Sequence, residues 1–459
     1  MLVALLLPLL PCAPQDPAGP PPSFHRDVRP ILQAHCQGCH QPANADAGVD
    51  LTRHAAILAG GKHGAILDLG EVDASAILKA ILPFDGEAPE MPKDRPPLGA
   101  DQVGVIRRWI AAGALDDTPP ALRAPVDAAH PPVYPRPPIL TAVDYSPDGS
   151  LLAVSGHHEV LLHRADGSEL VARLIGMSER IESVAFSPDG TRLAVAGGLP
   201  GRMGELQIWN VADAKLLLSV PVTYDTLYGA SWSPDGTLVA FGCADHSLRV
   251  VRAANGEEVL FQGAHGDWVL DTAFSVDGSH LVSVGRDRSM KLVKVDTQQF
   301  IDNITSITPG ALKGGLMALA RHPLRDELLV GGADGIPKVY RMFREKKRVI
   351  GDDFNLLRAF DAMPGRVFAV DWTADGARVA GGSSHQGRGF AQVWNAEDGA
   401  SVWKAELPSA VYALDFDPAG NTLAAVGYDG RVRLLDAASG AVRHEFVPVP
   451  LAVHAEGRP

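Results

Sequence analysis

One short turn recurs seven times along the chain. It reads "YSPDG" at 145, "FSPDG" at 186, "WSPDG" at 232, "FSVDG" at 274, "RHPLRDE" at 321, "WTADG" at 372 and "FDPAG" at 416. The spacing averages about 45 residues, the length of one four-stranded blade of a radially repeated β fold. In the full motif Pro presets φ, Asp caps the turn and Gly supplies a positive φ, so each copy predicts a hairpin. Alternating apolar runs flank the turns, such as "ESVAF" or "YALDF" before and "RLAVAGG" or "TLAAVG" after. That alternation is the signature of half-buried strands. The repeats predict an all-β seven-bladed propeller over residues 139–447. The last run, "AVRHEFVPV", completes the seventh blade without requiring a strand lent from upstream.

The N-terminal quarter follows a different period. "CQGCH" at 36–40 has the C-x-x-C-H spacing that attaches c-type haem: two thiols one helical turn apart meet two vinyl groups, and the adjacent imidazole lies under the iron. A thioredoxin-like site wants a βαβ context, whereas "FHRDVRPILQAH" reads as a helix. Structural zinc wants a second Cys/His pair, which the sequence lacks. Val28, Ile31, Leu32 and His35 recur at helical spacing before the motif. Val105, Ile106, Trp109 and Ile110 do so downstream, with Gly113 as the stop. Two amphipathic helices around one covalent haem c are expected, with Cys36 and Cys39 as attachment points and His40 as axial ligand. For the second axial position the candidates are Met91, in the extended, proline-flanked "EAPEMPKDRPPLG", and His54 or His63. Met91 is preferred, because His/Met ligation suits electron transfer.

The leader, residues 1–22, carries an apolar run of about ten residues, which fits a signal-peptide core and is too short to span a bilayer. It predicts export, to a periplasm or equivalent compartment. Pro11 argues against lipid attachment at Cys12. No other stretch has the length and apolarity of a transmembrane span. Charged residues make up 21% of the chain and the net charge is −13, so nucleic acid is not an expected partner. The cysteines are Cys12, Cys36, Cys39 and Cys243, too few for a disulfide framework.

Residues 24–115 resemble the planctomycete-type cytochrome c domain. The resemblance rests on "DVRPIL", "CQGCH", "GVDL", "DASAIL", "MP" and "IRRWIAAGA" in that order. It implies a monohaem c-type cytochrome in which Cys36, Cys39 and His40 bind the haem. Met91 falls at the family's Met-Pro position, although Lys93 stands where the family often has a second proline. The repeats resemble the tryptophan–aspartate (WD) repeat family. "LQIWN" and "AQVWN" carry Asn210 and Asn395 in place of its Asp. Asp245, Asp287, Asp334 and Asp429 match its turn aspartate, and His265 in "GAHGDW" a shifted form of its G-H element. The chain thus divides into a leader (1–22), a small all-α c-type cytochrome domain (23–115), a Pro-rich linker (116–138), the WD-repeat-like propeller (139–447) and a tail (448–459). The linker is expected to be extended and semi-rigid, or in part packed through Val133 and Tyr134.

The loops that enter each blade's inner strand, "SERIE", "TYDTLYG", "AHGDW", "TPGALKGG" and "AMPGR", are expected to bring Arg180, Tyr224, Asp225, His265, Trp268, Lys313 and Arg366 to one face. No catalytic constellation stands out there, and Cys243 reads as a buried thiol. The leading function is an exported one-electron carrier whose propeller docks redox partner proteins. A redox enzyme with a second site on the propeller, and an interaction scaffold with a structural or sensory haem, are the alternatives.

Overall fold

The computed structural model describes residues 20–42, 44–93, 96–119, 126–263, 265–305, 313–349 and 352–452. Most of the leader, Cys12, residues 120–125 of the linker and the end of the tail lie outside the described residues.

The helical region starts at Ser23. Its hydroxyl accepts from Arg26 N–H at 2.9 Å while Asp27 accepts from Ser23 N–H at 2.7 Å, a reciprocal cap on the first turn. A π-helical turn (Phe24–Val28) runs into α1 (Arg29–His35). Then come a two-residue ladder of β1 (His40–Gln41) with β2 (Asn44–Ala45), the short helices α2 (His54–Ala59) and α3 (Ala76–Ile81), and α4 (Ala100–Ala111). Both expected helices are present, and α2 and α3 are additions to them. Phe24, Val28, Leu32, Ile57, Leu78, Ile106, Trp109 and Ile110 form one core. Trp109 stacks on Phe24 at 5.4 Å and donates Nε1–H to Leu115 O at 3.0 Å, so its polar edge is satisfied inside the core. Gly113, at φ +92°, ends α4 in a conformation that an L side chain resists.

From residue 143 the described chain is all-β and antiparallel. β3 (Val143–Tyr145), β4 (Leu151–Ser155), β5 (His157–Arg164), β6 (Leu170–Phe186), β7 (Arg192–Leu199), β8 (Met203–Asn210) and β9 (Lys215–Thr223) form one seven-stranded sheet. Five four-stranded sheets follow in strict chain order. The first holds β10 (Leu227–Trp232), β11 (Leu238–Cys243), β12 (Leu248–Arg252) and β13 (Glu258–Gln262). The next holds β14 (Val269–Phe274), β15 (His280–Gly285), β16 (Met290–Lys294) and β17 (Phe300–Asn303). Then come β18 (Leu316–Arg321), β19 (Glu327–Gly332), β20 (Lys338–Arg341) and β21 (Leu356–Ala359). The last two are β22 (Arg366–Trp372), β23 (Arg378–His385), β24 (Arg388–Asn395) and β25 (Ser401–Leu407), and β26 (Val411–Phe416), β27 (Thr422–Gly427), β28 (Val432–Asp436) and β29 (Val442–Phe446).

The merging of the first two units corrects the sequence reading, which makes "SERIE" a loop. Arg180 instead lies inside the 17-residue strand β6, paired with His157 on one side and Gly198 on the other. The stretch from Met177 to Phe186 contains no Gly or Pro to break the strand, so β6 serves first as the outer strand of one unit and then as the inner strand of the next. Counted this way the described residues from 143 onward hold seven four-strand units, in six sheets. β29 pairs directly with β28, so the last sheet takes no strand from upstream. Tyr134 of the linker is buried while Val133 is exposed, and Tyr134 bridges Leu451.

The turns form as their composition dictates. In "SPDG" the serine hydroxyl donates to the aspartate two residues on, at 2.6 Å from Ser146 to Asp148, and the "SVDG" copy does the same at 2.7 Å from Ser275 to Asp277. The glycines sit near φ +70°. The Ser187 hydroxyl, the Thr191 amide and the Thr191 hydroxyl hold Asp189 down to about 2.

Inner strands of successive units lie side by side, β3 with β6, β6 with β10, and so on to β22 with β26, and β26 lies beside β3. Half-buried aspartates link them. Asp144 accepts from Phe186 N–H at 2.6 Å, Asp271 from Leu319 N–H at 2.8 Å and Asp371 from Phe416 N–H at 2.8 Å.

Candidate functional site

Cys36 caps α1, its N–H bonded to Leu32 O at 2.9 Å. The next turn folds on itself: Cys39 and His40 both donate to Cys36 O, at 3.3 and 3.1 Å. Two buried glutamines fix it from below. Gln37 Nε2 donates to Leu51 O at 2.8 Å and Gln41 Nε2 to Gln37 O at 2.9 Å. Met91 arrives from the extended loop after α3, held by its N–H to Ala80 O at 2.9 Å.

These residues meet around one cavity of about 240 Å³, lined by Cys36, Cys39, His40 and Met91 together with apolar side chains such as Leu51, Ile66, Ile77 and Ile81. Burial pushes the Cys36 thiol up to about 12, with Cys39 adding to the rise. His40 Nδ1 is buried and without a partner. Two thiols, an imidazole and a thioether on an apolar cavity are the donor set that a covalent haem uses, so the residues fit that group. Cys36 and Cys39 would hold it covalently, with His40 and Met91 toward the metal.

The histidine alternatives lie elsewhere. His54 opens α2 with Nε2 2.6 Å from Ala114 O and its ring edge-on to Phe24 and Trp109, outside the cavity lining. His63 is exposed and also outside the lining. His35 does line the cavity, and Gln102 donates to its Nε2 at 3.0 Å.

The cavity has a wall that sequence reasoning did not find. Ser219 and Pro221 of β9, in the second four-strand unit, also line it. A Cβ added to Gly38 would stand 2.6 Å from Ser219 O, so glycine at this motif position lets the β region close against the turn. No local signal connects residues 38 and 219.

The residues expected on one face of the repeats are dispersed in role. Tyr224 is exposed, and Asp225 accepts from Gly201 and Thr226 N–H. Trp268 stacks on Tyr228 at 5.8 Å and lies under the Arg286 guanidinium at 4.7 Å. Lys313 and Arg366 are exposed. His265 is buried, with Nε2 2.7 Å from Ser283 Oγ and Nδ1 3.1 Å from the Asp287 carboxylate. Burial opposes ionisation of Asp287, but its bonds from His265 and Gly266 hold the carboxyl well below the usual range. Asp245, Asp287, Asp334 and Asp429 each sit between the second and third strand of a unit and pair with the cation four residues on, as in Asp245–Arg249 at 3.0 Å. Cys243 is fully buried, as expected. Among the described residues no group of three or more His, Cys, Asp or Glu is arranged to hold a metal ion. No helix there is long and apolar enough to cross a membrane.

Comparison with known proteins agrees with both parts of this description. The family Planctomycete cytochrome C matches residues 36–95, which contain the whole C-x-x-C-H turn and Met91. The WD domain, G-beta repeat matches residues 217–251 and 256–293, and the Anaphase-promoting complex subunit 4 WD40 domain matches 390–451. Coronin-7 of Mus musculus is 28% identical over 191 residues, 39% of this chain and 20% of its own length. WD repeat and SOCS box-containing protein 1 of Danio rerio is 35% identical over 100 residues, 21% of this chain and 24% of its own. Ribosome biogenesis protein WDR12 homolog of Chlamydomonas reinhardtii is 32% identical over 138 residues, 29% of this chain and 31% of its own. The chain thus spans less than a third of these relatives. It combines a cytochrome-like segment with a WD-repeat region.

Proposed function

We propose that the chain is an exported monohaem c-type cytochrome that carries single electrons, with its repeats forming a closed seven-bladed propeller that docks redox partner proteins. One observation carries the reading: Cys36, Cys39, His40 and Met91 line a single apolar cavity within the segment that matches a cytochrome family. When bound, the haem supplies a ferric/ferrous couple. The thiols of Cys36 and Cys39 would tether it, and His40 and Met91 would bind its iron. Leu51, Ile66, Ile77 and Ile81 exclude water, which favours electron transfer over ligand exchange at the metal. The side-by-side order of inner strands, with β26 beside β3, supports propeller closure. The WD-repeat matches support a platform for other proteins. Residues 1–22 act as the export leader.

The test is to express the full chain with a periplasmic haem-ligation system and denature it in acid and organic solvent. Haem that stays with the polypeptide, and is lost when Cys36 and Cys39 are replaced by Ala, is the expected result. A protein that is exported and folded but carries no covalent haem sinks the reading.

A further inference from the structure

The first two four-strand units share a buried carboxylate at the same register, yet treat it in opposite ways. In the first, Glu159 of β5 pairs with Ile175 of β6, and Arg173 pairs two residues along with Leu161. Arg173 neutralises Glu159 with two bonds, Nε to Oε2 at 2.6 Å and a terminal nitrogen to Oε1 at 2.7 Å. In the second, Glu205 of β8 pairs with Pro221 of β9, and the position equivalent to Arg173 is Ser219, opposite Gln207. The arginine has become a serine.

Glu205 is only 1% exposed. Its carboxylate accepts from Ser178 Oγ at 2.6 Å, from Gln207 Nε2 at 2.8 Å and from Ser219 Oγ. Gln207 is in turn fixed by Trp209 Nε1 at 2.9 Å. All these donors are neutral, and no ion pair to Glu205 forms among the described residues. A buried carboxylate without a cation is costly unless positive charge lies close by. The residue standing in the arginine's place, Ser219, lines the cavity of Cys36, Cys39, His40 and Met91, as does Pro221, the strand partner of Glu205.

We infer that Glu205 is a redox-tuning residue: its countercharge is the oxidised, cationic form of the metalloporphyrin in that cavity. This inference rests on the haem reading above. A fixed negative charge behind the wall stabilises ferric over ferrous haem, because interactions across a desolvated wall are weakly screened. Ser219 positions the carboxylate and separates it from the cavity. The β region therefore sets the potential of the cytochrome region as well as packing against it.

The test is a mediated redox titration of the full-length holoprotein. Glu205→Gln keeps the shape and the hydrogen-bonding edge, and should raise the ferrous-to-ferric ratio at fixed potential about tenfold, an upward shift of about 59 mV for one electron. Asp213→Asn, an exposed carboxylate of the same unit, should move the ratio far less. An unaltered optical spectrum with a ratio within about twofold of the parent overturns the inference and leaves the haem reading intact. If Glu205→Gln fails to accumulate, the ferric-minus-ferrous infrared difference spectrum of the parent decides. A carboxylate stretch that moves in Ser219→Ala supports the inference, and its absence overturns it. A protein without haem removes both readings.

Discussion

Tyr145 and Asp415, 270 residues apart, are joined by one hydrogen bond: the Tyr145 N–H donates to Asp415 Oδ2 at 2.7 Å. It ties the last four-strand unit to the first. Asp371 does the same one unit earlier, accepting from the Phe416 N–H at 2.8 Å, so these carboxyls stitch successive inner strands together. Replacing Asp415 by Ala strands the Tyr145 N–H and should cost about 1–3 kcal/mol, measured by urea unfolding. A loss below the error of that measurement would show that this bond does not hold the ends together.

The same carboxyls give the protein an unusual pH dependence. Burial raises Asp144 to about 8 and Asp271 to about 7, and raises Asp415 well above the carboxylate range, with Asp371 and Asp144 adding to it. In the native state they bind protons that the unfolded chain releases near pH 4. Their stabilisation is complete below that pH and is lost as pH rises through about 7 to 8. Each such proton tilts the stability curve by up to about 1.4 kcal/mol per pH unit. Asp144→Asn should flatten the fall in urea midpoint between about pH 5 and 8. The turn aspartates oppose this at the acid end: Asp189 and Asp277, held down to about 2, stabilise above the unfolded value and lose that effect as pH falls toward 2. An identical slope in parent and Asp144→Asn would remove Asp144 from this account.

Met91→Ala should abolish the weak long-wavelength charge-transfer band of thioether-ligated ferric haem while leaving the haem covalently attached. Since His54 and His63 are outside the cavity lining, neither should take its place. A band that survives the substitution would assign the ligand elsewhere.

Gly38→Val drives a side chain into the Ser219 carbonyl. Backbone cannot rotate away as a side-chain tip can, so the cost should be about 1–3 kcal/mol. Hydrogen exchange should speed up selectively in β9 and in the 36–40 turn. Uniform acceleration across all units would mean that the contact is not local.

Arg173→Met leaves Glu159 charged and buried, and should destabilise by about 3–5 kcal/mol. The double variant with Glu159→Gln should recover most of that loss, because the desolvated charge goes with it. If the double variant is as unstable as the single, packing of the Arg173 stem is the larger contribution.

Cys243 should resist alkylation in the native protein near pH 8, since burial pushes its thiol up to about 12, and should react on unfolding. Peptide mapping before and after denaturation reads this directly. Rapid native labelling would mean that β11 opens locally.

What the sequence reveals is what local chemistry writes. Ser–Asp–Gly turns are legible because hydroxyl, carboxylate and positive φ act within five residues, and Cys36, Cys39 and His40 because their spacing falls within one turn of chain. The six-residue helices α2 and α3 are too short to develop a period. The aspartates that link units are hidden differently: in an alternating strand, Asp144, Asp371 and Asp415 read as solvent-facing positions, while their partners are amides of the next repeat. Ser219 and Pro221 are invisible for the same reason, standing about 180 residues from the turn that they cover.

Strand β6 has a last consequence, for the order in which the molecule can be made. One continuous strand obliges the first two units to gain and lose structure together, so they form a single foldon that includes the wall behind the cysteine turn. Its other flank, β3, waits for Asp415, which leaves the ribosome about 30 residues before the last strand ends. A chain released early would therefore hold its cysteine turn against a partner whose far side is still unanchored, and the whole length would have to be made before the cavity beside that turn settles.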